Sequence, residues 1–97
     1  MRKLIIMPHA EQAIYEVAEW IAEKNFPATG LKFIEKAEAF LYEYCKLTKL
    51  EFPLCKNKSL AEQKLSCVVF NRKWVIAFKY SKTTITVYEF IWGAKLH

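Results

Sequence analysis

Residues 64–92 read KLSCVVFNRKWVIAFKYSKTTITVYEFIW, and the fold turns on how this stretch divides. Three runs, Lys64 to Phe70, Lys73 to Tyr80 and Thr84 to Trp92, are rich in the β-branched and aromatic residues that suit a pleated surface. Asn71-Arg72 supplies a tight turn between the first two, and Ser81-Lys82-Thr83 a looser one between the next two. Connections this short join antiparallel strands, so the stretch predicts a three-stranded meander. In the middle run Trp74, Ile76, Phe78 and Tyr80 alternate onto one face, with Val75, Ala77 and Lys79 on the other. Both faces carry apolar groups. One must be covered, and the other, part apolar and part basic, is left for binding. In the last run simple alternation puts Tyr88 on the same face as Thr84, Thr86, Phe90 and Trp92.

Upstream, Lys3-Leu4-Ile5-Ile6-Met7 is short, β-branched and bounded by Pro8, and reads as a first strand. Ala10, Ala13, Ile14, Val17, Ala18 and Ile21 then follow helical spacing in a helix that starts at Pro8 and ends near Asn25, where Phe26-Pro27 interrupts it. A second helix, beginning at Ala28 or Thr29, carries Phe33, Ile34, Ala37, Phe40, Leu41 and Tyr44 along one face. The short link between them makes an antiparallel helical hairpin. From Lys46 to Gln63 the pattern loosens, and Pro53, Asn57 and Ser59 indicate an irregular connection. The expected fold is therefore α+β: a strand, a helical hairpin and a three-stranded antiparallel meander, in one domain spanning residues 1–97.

At 97 residues, 54% apolar and 15% aromatic, the chain has material for one core and no length for a second. Its apolar runs fall far short of the roughly 20 residues a bilayer span needs, and the apolar stretch behind Arg2 and Lys3 is too short for a signal peptide, so the expectation is a cytoplasmic protein without membrane contact. Cys45, Cys55 and Cys67 are odd in number and lack CxxC spacing, which points to buried or incidental thiols rather than zinc or redox chemistry. With His9 at a helix start and His97 at the chain end, no metal site is expected. Two glycines make no phosphate-cradling loop, and Ser59, Ser66 and Ser81 sit in no nucleophile elbow.

The net charge of +5 is unevenly spread. Residues 1–43 hold five basic against seven acidic side chains, a balance of −2, whereas residues 44–97 hold ten against three, a balance of +7. The second half is the candidate surface for an anionic partner, nucleic acid or acidic peptide.

The element order is similar to that of the toxins of the RelE/ParE superfamily, found in type II toxin–antitoxin pairs. Lys64-Leu65-Ser66-Cys67-Val68-Val69 resembles the lysine, cysteine and paired-valine start of the second strand in such toxins of the Bacteroidetes type, often called plasmid stabilisation proteins. Leu4-Ile5-Ile6-Met7-Pro8-His9-Ala10 resembles their entry into the first helix. The far end departs: relatives close on a phenylalanine, an aspartate-centred step and an arginine, where this chain reads Phe90-Ile91-Trp92-Gly93-Ala94-Lys95-Leu96-His97. Ala94 falls nearest the arginine position, with Lys95 beside it, and Lys79 stands where relatives often carry arginine, keeping the charge without the bidentate fork.

The resemblance implies a toxin held inactive by an acidic antitoxin, with surfaces such as Trp20, Trp74 or Trp92 available for the antitoxin to bury. RelE-like members cleave messenger RNA on the ribosome without a metal or cofactor. The ribose 2′-OH attacks its neighbouring phosphate, so one proton must leave, another must reach the departing oxygen, and phosphate charge must be stabilised. On this reading Lys56, Lys58, Lys79, Tyr88 and Lys95 are the candidate catalytic residues and Lys64, Arg72 and Lys73 the candidate RNA-binding ones. Glu89 reads as an exposed strand carboxylate and His97 as a terminal residue. ParE-like members instead poison DNA gyrase through protein contacts, and a non-toxic degenerate member or a plain binding module would share the basic sheet.

Overall fold

The computed structural model describes residues 1–96. Its elements run β1 (Lys3–Ile6), α1 (Pro8–Lys24), α2 (Pro27–Cys45), α3 (Lys58–Glu62), β2 (Ser66–Phe70), β3 (Trp74–Tyr80), β4 (Thr84–Trp92) and a closing 3-10 turn, Gly93–Lys95. Each long helix opens on a proline preceded by an extended residue, Met7 or Phe26. Proline suits that position because its missing N–H would have no intrahelical partner there. Pro27 thus starts α2 as well as ending α1, a little earlier than the apolar spacing places it. The two helices approach closely at Gly30, where a Cβ would lie 2.5 Å from the Ala18 carbonyl oxygen and 3.1 Å from Ala22 Cβ.

The hairpin covers one face of the sheet. Ile14 and Ala18 of α1 and Phe33, Ala37 and Leu41 of α2 meet Ile76, Phe78, Ile85, Val87 and Phe90 in one core. The Phe33 ring makes edge contacts with Phe70, Trp74 and Phe90 at centroid distances of 5.9, 6.0 and 6.1 Å. Such geometry places the positive ring edge on a negative ring face.

The strand order is β1-β4-β3-β2, and the meander pairs antiparallel as expected. In the β2–β3 turn Asn71 and Arg72 both take left-handed backbone angles, φ 53° and 63°, and Lys73 N–H donates to the Phe70 carbonyl at 3.3 Å. The whole sheet is mixed, because β1 pairs in parallel with β4, Lys3 opposite Thr84 through Ile6 opposite Val87. A parallel neighbour needs a long crossover, and everything between β1 and β4 supplies it. The pairing covers the first half of what would otherwise be a nine-residue open edge on β4.

Three features correct the sequence reading. The 46–63 connection is not wholly irregular: Asn57 caps α3, its Oδ1 accepting from the Leu60 N–H at 3.1 Å. Cys55 and Cys67 are not thiols but form a disulfide, while Cys45 stays free and buried. The twelve-residue separation of the bonded pair has no CxxC signature, so only the tertiary path of the connection could show that they meet. Arg2, counted in the sequence merely as charge, is buried. Its Nε donates to the Ser81 carbonyl at 2.8 Å, Nη1 to Leu47 at 3.1 Å and Nη2 to Lys49 at 2.6 Å, tying the N-terminus to two loops. Burying a guanidinium is costly without such acceptors. No described helix is long and apolar enough to cross a membrane.

Candidate functional site

The connection between α2 and β2 passes around the end of the sheet. Phe52 packs into the helix-side core, Leu54 bridges to Ser66, and Cys55 emerges on the opposite face. There Cys55, Leu60, Leu65 and Ala77 form a second, smaller buried cluster, with Cys67, Tyr88 and Leu96 packed against it. The outer face is therefore partly covered by α3 rather than wholly open. Beside α3 lies a groove of about 670 Å³, walled by Pro53, Leu54, Val69, Val75 and Leu96, with Lys56 and Lys58 on its lining.

The position of Tyr88 relative to Phe90 depends on an irregularity. Phe78 pairs with Val87 but Ala77 pairs with Glu89, so Tyr88 is an extra residue in β4. A bulge shifts the alternation by one. Ile85, Val87 and Phe90 consequently all enter the helix-side core, whereas Tyr88 joins the outer cluster. The expectation that Tyr88 shares a face with Phe90 is thus overturned. Tyr88 keeps the face of Thr86, while the shift turns Phe90 inward; Lys79, opposite Thr86, has its Nζ 5.4 Å from the centre of the phenol ring. Lys79 is exposed on β3 opposite Thr86, so a cation and a hydroxyl-bearing ring stand together on the outer face.

The other candidate cations fall into three groups. Ser66 pairs with Phe78, which puts Lys64, in its left-handed turn just before β2, at the Lys79 end of the sheet. Arg72 and Lys73 lie in the turn at the far end of β2. The 3-10 turn carrying Lys95 joins them, since Gly93 N–H donates to the Lys73 carbonyl at 2.7 Å. Given the rise per strand residue, roughly 20 Å separates the two ends. Lys56 and Lys58 line the groove between them. All seven cations are exposed.

The remaining candidates change standing. Glu89 is half-buried rather than exposed, and its Oε1 lies 3.2 Å from His9 Nε2 at the start of α1. His97 lies outside the described residues. Trp20 and Trp92 are exposed, but Trp74 is not a free surface: it stacks on Phe90 at 5.2 Å within the helix-side core. Signals for the missed features are uneven. Asn57 three residues before Leu60 is a readable cap, whereas the Tyr88 bulge leaves no glycine in β4 to mark it. No protein-family model matches the chain, and no curated protein matches it.

Proposed function

We propose that this protein is the toxin of a RelE/ParE-type toxin–antitoxin pair and that it acts on ribosome-bound messenger RNA through the outer sheet face. The observation that carries the proposal is the Lys79–Tyr88 pair, set on a face whose other end bears Arg72, Lys73 and Lys95. Cleavage by an internal 2′-OH asks the protein for phosphate-directed cations and a group able to hold or pass a proton. Lys79 supplies the cation at the scissile phosphate, and Lys95, with Arg72 and Lys73 at the other end of the face, meets phosphates further along the message. Tyr88 supplies a hydroxyl that both donates and accepts, on a ring that can stack against a base. The polarised charge of the chain and the near full-length similarity of its element order and local motifs support the same reading.

An acidic antitoxin fits the basic outer face, and its apolar residues would bury the exposed Trp92, which pairs with Trp74 on the hairpin side of the sheet, or Trp20 on the hairpin itself. Expression of the protein alone is expected to slow bacterial growth, and co-expression of a small acidic protein encoded beside it to restore it. Normal growth at high expression of folded protein would count against an active toxin. One observation favours a second reading, gyrase poisoning or partner binding without RNA chemistry: the groove walls are apolar, as a protein partner would require.

A further inference from the structure

We propose that the Cys55–Cys67 disulfide is a redox latch that holds the 53–65 segment, including α3, on the outer sheet face, so that thiol–disulfide exchange opens and closes the groove beside it. The bond joins the connection to the sheet's edge strand, and both cysteines line the groove. Besides the disulfide, Cys55, Leu60 and Leu65 of the segment pack with Ala77, Tyr88 and Leu96 in the outer cluster, the Leu54–Ser66 bridge ties its start to β2, and a 2.9 Å hydrogen bond from Cys55 N–H to the Leu65 carbonyl closes the segment on itself. The helix-side core is formed from α1, α2, the strands and Phe52, which lies just before the segment and is held there by ring contacts with Phe78 and Tyr80. Breaking the bond thus frees the cover while leaving the sheet and hairpin closed.

The chemistry is also suited to exchange. Cys67 is half-buried and faces the groove, whereas Cys55 is buried, so an incoming thiolate reaches the Cys67 sulfur first. Attack there forms a mixed disulfide and expels Cys55 as a thiolate, which takes a proton from solvent. The second thiol of a dithiol reductant then displaces Cys67, leaving two protein thiols and an oxidised dithiol that has supplied two electrons and two protons. Lys56 and Lys58, lining the same groove, favour the departing thiolate. In the cytoplasm that the sequence leads one to expect, disulfides in ordinary mesophiles are characteristically transient or redox-sensing. The effect of the latch on RNA or protein contact rests on the function proposed above; the latch itself does not.

Cys45 makes the test internally controlled, because it is fully buried in the helix-side core and reports global opening. The folded protein is equilibrated with oxidised or reduced dithiothreitol, pulsed with iodoacetamide, and mapped by peptide mass alongside amide hydrogen exchange. On reduction Cys55 and Cys67 are expected to label while Cys45 lags at least about tenfold, with exchange across 53–65 rising by a similar factor and β3 and β4 unchanged. The Cys55→Ser, Cys67→Ser double variant is expected to match the reduced protein. Equal labelling of all three cysteines, a bond that resists reduction until the chain unfolds, unchanged exchange across 53–65, or a double variant that is unfolded or as protected as the oxidised protein would each overturn the latch. None of these outcomes depends on whether the protein is toxic.

Discussion

The two faces of the sheet are held by different means. The helix-side face is a continuous core in which rings from α2, β2, β3 and β4 and the Phe52 connection interlock. The outer face has four buried residues and one covalent bond. Apolar burial contributes in proportion to area, so the first face carries most of the stability and the second is free to be remodelled. The groove, the disulfide and the Lys79–Tyr88 pair all belong to the weakly packed side. Elements that move or bind are drawn from the low-stability end of a fold.

Deletions on the two faces should separate them most clearly. Phe78→Ala removes a fully buried ring between the hairpin and the sheet and is expected to cost about 3–5 kcal/mol, whereas Leu60→Ala on α3, where the segment can settle, is expected to cost about 2 kcal/mol. Denaturant unfolding of the oxidised protein measures both. Equal losses would mean that the outer cluster is as much a part of the core as the inner one.

A smaller effect should come from Cys45. Burial pushes its thiol above the ordinary value of 9.0, with the Arg2 charge pulling the other way. A raised folded pKa means that the folded state holds the proton more tightly. The stability this contributes is therefore complete below the unfolded pKa and lost as pH rises through the folded one. As pH is raised from neutrality past the ordinary thiol value of 9.0, the wild type should lose more stability than Cys45→Ala, which has no thiol to ionise. Melting curves for the two proteins across that range decide it, and parallel curves would show that the thiol is not held protonated by the core.

Much of the helix-side face is legible in the sequence. The spacing of Ile14, Ala18, Phe33, Ala37 and Leu41 and the alternation of Ile76 and Phe78 each reflect a local period that burial imposes, and all of them are buried together. The long-range contacts are less legible for the same reason. The parallel β1–β4 pairing, the route that brings Cys55 to Cys67, and the three carbonyls that hold Arg2 are all contacts between segments distant in sequence. No local pattern encodes them. β4 shows the cost most directly, because one extra residue parts Tyr88, which stays with Thr86 on the outer face beside Lys79, from Phe90, which turns into the helix-side core.

The functional weight placed on that pair is tested by primer extension on translating ribosomes, comparing the wild type with Lys79→Ala and Tyr88→Phe while their melting temperatures are followed in parallel. Lys79 is exposed, so its removal should alter stability by no more than about 0.5 kcal/mol. Loss of one well-placed donor to a developing phosphate charge is expected to slow cleavage about a hundredfold. Codon-end cleavage by the wild type that falls by this factor in a still-folded Lys79→Ala protein is the expected result. A wild type that cuts no ribosome-bound message but lowers gyrase supercoiling, or a Lys79→Ala protein that cuts at the wild-type rate, would contradict the assignment of this face to RNA cleavage.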